Sequence, residues 1–129
     1  MNTGGYHAVN LGLHLAAAMT LYCLLITTLT LPRLAPRYGP AAHRIALTAA
    51  LLWAIHPIQI QAVTYIIQRS TSQAAFGTLL ALLGYVKGRL SHGRRRAAWW
   101  MLALTAAGFA FGSKETAFVL PLSLAAYEG

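Results

Sequence analysis

Long apolar runs alternate with short basic breaks along this chain, and the breaks fall where proline and glycine also cluster. From Ala8 to Leu31 there is no Asp, Glu, Lys or Arg over 24 positions, a helix of about 36 Å at roughly 1.5 Å per residue, enough to cross a hydrocarbon core of about 30 Å. A cleaved signal peptide is the competing reading, but no charged leader precedes Ala8 and the run exceeds the usual apolar core of about 7 to 15 residues. Pro32, Pro36, Gly39 and Pro40 then break the helix, while Arg33, Arg37, His43 and Arg44 make the break basic. A second apolar stretch stops at His56-Pro57, because proline disfavours helical geometry in the residue before it and brings no amide proton. From Ile58 to Ser72 the pattern turns amphipathic, with Gln59, Gln61, Gln68 and Arg69 among branched apolar residues. Three more apolar stretches follow, separated by the basic run from Lys87 to Arg96 and by Gly112-Ser113-Lys114-Glu115.

The pattern predicts an all-α, polytopic membrane protein with about five membrane-embedded helices, over residues 8–31, 41–55, 71–86, 97–112 and 115–127. An interfacial or re-entrant segment at the outer face links the second to the third. Alternate breaks carry unequal charge: 32–44 and 87–96 hold three and five Lys or Arg, against Arg69 and Lys114 alone on the other side. Eight against two orients the basic loops toward the cytoplasm, as in a bacterial inner membrane, and residues 56–72 and 113–115 toward the periplasm. Trp99 and Trp100, opening the fourth stretch, suit the cytoplasmic interface.

Composition narrows the chemistry. The 129 residues are 57% hydrophobic and 9% charged, with Glu115 and Glu128 the only acidic residues. This excludes carboxylate clusters for calcium or magnesium and paired-carboxylate catalysis within the chain. A single cysteine, Cys23, excludes an intrachain disulfide and a cysteine-based zinc site. A net charge of +8 would suit nucleic acid, but the basic residues sit in short groups between apolar runs, and Arg94-Arg95-Arg96 has no interleaved aromatics. Beside a membrane, that run binds anionic headgroups at about 1 kcal/mol per residue and sets topology.

Three constellations carry candidate chemistry. His7, Asn10 and His14 fall on one helical face by their spacing of three and four, either to bind a polar ligand or to hydrogen-bond neighbouring helices. As metal ligands they are poor, since His7 and His14 stand about 10 Å apart along the axis. His56 is followed by Gln61 and Arg69; an arginine in this apolar, amide-rich segment reaches either an anion or the headgroups, and His56 can equally cap its helix. Lys114 and Glu115 precede the last stretch, where the helix dipole accounts for Glu115 and a bound phosphate would account for Lys114.

On the residues Tyr6-His7-Ala8-Val9-Asn10 with His14, the run from His56 through Gln61 to Arg69-Ser70, and Ser113-Lys114-Glu115 with Pro121, the chain resembles the polytopic domain of the transmembrane and tetratricopeptide-repeat O-mannosyltransferase family and its bacterial relatives. The resemblance covers nearly the whole chain in order. It implies a GT-C type glycosyltransferase that takes a sugar from a polyprenyl-phosphate carrier and passes it to a protein hydroxyl on the periplasmic or luminal face. Arg69 and Lys114 would then hold the phosphate, and His56 would orient polar groups. Glu115 is the available outer carboxylate and, with His56, a catalytic candidate. No soluble cofactor and no metal site within the chain is implied. Family members have Glu where this chain has Gln61, an acidic catalytic motif before the segment matching Tyr6, and a repeat domain further along, so the resemblance implies a fragment or one part of a split enzyme. Partners would be the polyprenyl-phosphate donor, membrane lipids and the rest of such an enzyme. The rivals are a noncatalytic membrane subunit or assembly scaffold and, less readily, a transporter fragment.

Overall fold

The computed structural model describes residues 3–56, 69–113 and 119–128, and every regular element among them is helical. Helix α1 covers Thr3–Leu29, a short α2 Ala35–Tyr38 runs into a 3-10 turn at Gly39–Ala41, and α3 covers Ala42–Ile55. Helices α4 (Arg69–Leu90), α5 (Gly93–Ser113) and α6 (Val119–Glu128) complete the described chain.

Local chemistry explains the boundaries. In α1 the hydroxyls of Thr20, Thr27 and Thr28 donate to the carbonyls of Ala16, Cys23 and Leu24 at 2.7 to 2.8 Å, the habit by which Thr stays in an apolar helix without an orphaned hydroxyl. Thr30 bonds back in the same way to Ile26 as the helix ends. Pro36 and Pro40 lie in the first turns of α2 and of the 3-10 turn, where a missing amide proton costs nothing. At the end of α3, His56 is extended (ψ 132°), as the proline after it requires. Ser91 and His92 alone separate α4 from α5, and Gly93 closes that turn at φ +61°. Gly93→Ala is therefore expected to cost about 1 to 2 kcal/mol, the penalty of a left-handed alanine, seen as a lower thermal midpoint.

Side-chain pairings fix the directions. His14 meets Trp53 and Ala54 while Tyr22 meets His43, so α3 runs antiparallel to α1. Leu24 packs with Leu83 and Val86, which sets α4 parallel to α1. Gly77 faces Ala110 and Gly88 faces Trp100, so α5 returns antiparallel along α4. Leu120 joins Ala81 and Ala106, and Tyr127 bonds Thr28 at 2.7 Å, carrying α6 parallel to α4. One end of the bundle thus gathers the C-termini of α1, α4 and α6, the α2 turn and the N-termini of α3 and α5. This basic end holds Arg33, Arg37, Arg44, Lys87, Arg89 and Arg94 to Arg96, with Glu128 beside them. The opposite end gathers the starts of α1, α4 and α6 and the ends of α3 and α5.

Apart from Leu24, Leu83, Val86 and Leu120, the interior is built of small residues. Gly77, Ala81, Gly84 and Gly88 make a seam at spacings of four, three and four on α4, and α5 answers with Ala103, Ala106 and Ala110. A methyl added at Gly84 would lie 3.0 Å from the Ala103 amide nitrogen and 3.1 Å from the Trp99 carbonyl oxygen, so the two backbones are in direct contact. Ala42, Ala46 and Ala50 bring α3 against α1 in the same way. Large apolar side chains point outward instead: Leu104 and Leu122 are each 71% exposed, and Ile55, Met19, Leu52 and Met101 are exposed too.

By length and composition one described helix, α1 over Gly4–Leu29, is apolar enough to cross a membrane. Helices α3 and α6, of 14 and 10 residues, reach about 21 and 15 Å, short of a hydrocarbon core of about 30 Å. Helices α4 and α5 are long enough, but each continues into the basic run, to Leu90 and from Gly93, so their apolar character is diluted. The helix limits accordingly extend past the charge-free runs 71–86 and 97–112, because helical propensity does not stop where charge begins. The expected interfacial segment lies largely outside the described residues.

Candidate functional site

At the end opposite the basic loops, the last carbonyls of α3 have no partner within the helix itself. His14 answers one of them. Its ring stacks on Trp53 (centroids 5.1 Å apart, 18° between planes) and its Nε2–H donates to the Ala54 carbonyl at 2.9 Å. Both His14 and Asn10, one turn earlier, are buried, whereas His7, a further turn out, is exposed. The face shared by these three in the sequence is therefore divided by packing: two serve the interior and one faces outward.

His56 caps α3 and is exposed. Arg69 opens α4. Lys114 and Glu115 lie outside the described residues, between the end of α5 at Ser113 and the start of α6 at Val119. Ser72, in the first turn of α4, is buried with no hydrogen-bond partner for its hydroxyl among the described residues. Among those residues no three His, Cys, Asp or Glu side chains gather as metal ligands would.

A second polar cluster occupies the basic end. Tyr85 and Arg89, one turn apart on α4, both donate to the same carboxylate oxygen of Glu128 on α6, and Arg89 Nη1 stands 3.2 Å from the Tyr85 hydroxyl. Leu31, Val86, Leu90 and Tyr127 complete the walls of a cleft of about 280 Å³ around them. The Tyr85 hydroxyl and then the Glu128 charge raise the Arg89 pKa further above its ordinary value. Both partners of the ion pair are more than half exposed, so solvent screens it and it adds little to stability. Around the cleft, Lys87 lies over the Trp99 ring at 5.6 Å, and Trp100 meets Tyr85 edge to face.

The sequence did not point to this cluster. Tyr85 and Arg89 share a face by their spacing of four, but their partner is 39 positions beyond Arg89. No family model, curated protein or solved structure matches the chain.

Proposed function

We propose that this chain is the membrane-embedded helical part of a glycosyltransferase that moves a sugar from a polyprenyl-phosphate carrier to a protein hydroxyl at the face opposite the basic loops. One observation carries the reading: the helix ends that lead into all three family-like motifs share one end of the bundle. His14 and the end of α3 meet there, Arg69 opens α4 there, and Ser113 closes α5 there. The membrane placement is supported by the distribution of size, with Ala and Gly predominating inside and most Leu, Ile and Met outside, the arrangement favoured where lipid solvates the large side chains and small ones let helices approach. All five main helices are embedded in this proposal, α3 and α6 as partial spans, with the eight Lys and Arg of the basic end toward the cytoplasm of a bacterial inner membrane.

In this reading Arg69 and Lys114 stabilise the departing lipid phosphate and His56 orients polar groups, while transfer also requires a base for the acceptor proton. Glu115 is the outer carboxylate of this chain in the same reading. Replacing Arg69 with Gln in a complete homologous enzyme is expected to raise the donor KM and lower kcat/KM at least tenfold, about 1.4 kcal/mol of transition-state stabilisation. Unchanged transfer kinetics would reject the phosphate role. A noncatalytic scaffold is the second reading, favoured by the engagement of His14 in closing α3, which is a structural task. Normal kinetics in Arg69→Gln, together with loss of assembly in His14→Ala, would select it.

A further inference from the structure

The cleft at the basic end is far from the proposed transfer site and has a chemistry of its own. Two donors of different kinds, the Tyr85 hydroxyl and the Arg89 guanidinium, converge on a single oxygen of Glu128. That convergence is what a phosphate oxygen requires. The guanidinium carries five N–H donors in a planar fork, so it has donors to spare for a second oxygen. Immediately beside the charged groups the walls are apolar, made by Leu31, Val86 and Leu90. Free phosphate gains nothing from such walls, whereas a phosphate attached to hydrocarbon does.

The carboxylate that fills the donors is well placed to yield. Glu128 ends a ten-residue helix and is more than half exposed, so solvent competes for its carboxylate. The level in the bilayer also fits: Trp99 under Lys87 and Trp100 against Tyr85 form an aromatic and cationic belt of the kind that lies at headgroup depth.

We propose that this cleft binds one anionic phospholipid, whose headgroup phosphate displaces the Glu128 carboxylate from Tyr85 and Arg89 while its first acyl carbons lie on Leu31, Val86 and Leu90. The inference rests on the membrane placement argued above, but not on glycosyl transfer. Glu128 is then a built-in competitor, and removing its charge strengthens lipid binding.

Native mass spectrometry of the full chain in detergent, titrated with phosphatidylglycerol or phosphatidylcholine, tests this. The wild type should retain the first phosphatidylglycerol in preference to phosphatidylcholine. Glu128→Gln should raise that retention roughly fivefold and Arg89→Gln should lower it roughly fivefold, the size of one interfacial charge, with Tyr85→Phe falling in the same direction. Arg37→Gln, on α2 and outside the cleft, should leave the first adduct unchanged. Opposite responses of Glu128→Gln and Arg89→Gln with an unchanged Arg37→Gln are the signature, since general attraction to a basic surface would weaken with the loss of any of its arginines. An unaltered first adduct in both variants overturns the site. Displacement of phosphatidylglycerol by equimolar inorganic phosphate overturns the lipid as its occupant. Alkaline carbonate washing of host membranes separates the underlying reading: a chain that is washed off was never embedded, whereas one that stays while the variants fail refutes the cleft alone.

Discussion

Gly84→Leu is expected to separate α4 from α5. The first added carbon would stand 3.0 Å from the Ala103 amide nitrogen and 3.1 Å from the Trp99 carbonyl oxygen, and because it is fixed to the backbone, no rotamer relieves the clash. The helices must move apart, at a cost of about 1 to 3 kcal/mol or more for overpacking. Gly77→Leu should behave alike, since its added carbon meets Ala110 Cβ at 3.0 Å. Gly108 supplies the control: it lies in α5 with open space where a side chain would go. Gly108→Leu should be neutral or gain up to about 1 kcal/mol from helix propensity. Equilibrium unfolding in mixed detergent measures all three, and equal effects at Gly84 and Gly108 would deny that the seam holds the bundle.

The second large effect is expected at His14. His14→Ala removes the donor that satisfies the Ala54 carbonyl at the end of α3 and the ring that stacks on Trp53. The orphaned carbonyl costs about 1 to 3 kcal/mol and the lost stacking about 0.5 to 1.5 more. His14→Gln keeps an N–H of similar reach and should recover about half of the loss, read from the same unfolding curves. If His14→Ala unfolds like the wild type, the bond is incidental and His14 is free for another task.

These two positions show how far the sequence reaches. His14 was visible as a polar residue one turn from Asn10, and Pro57 announced that α3 must end. Their meeting was not visible, because it joins residues 40 positions apart and depends on α3 folding back antiparallel. The seam at Gly77, Ala81, Gly84 and Gly88 was missed in the sequence although its small residues recur every three or four positions, since glycine and alanine scarcely change the mean of an apolar run. Helix order and breaks followed from proline, glycine and charge. The ends of α4 and α5 did not, because charge interrupts an apolar run while backbone hydrogen bonding continues past it. Of the residues tied to the family resemblance, His56 and the backbone of Arg69 fall at the end where α1 begins. For Lys114 and Glu115 the described structure ends at Ser113 and resumes at Val119. The Tyr85, Arg89 and Glu128 cluster was silent in the sequence, because single tyrosines and surface charges acquire a role only when folding brings them to one oxygen.

In the proposed topology these helices lie in a membrane, with the motif-bearing ends on one side and the basic ends on the other. Cysteine accessibility measures it most directly. In a Cys23→Ser background, Gly5→Cys and Gly112→Cys report the motif-bearing end, both in exposed positions with open space around them, and Ser91→Cys and Arg95→Cys report the basic end. In spheroplasts of a bacterial host, a membrane-impermeant maleimide should label positions 5 and 112 at once, and positions 91 and 95 only after permeabilisation. Labelling of 91 and 95 from outside with 5 and 112 protected, or protection of all four until lysis, would rule this topology out.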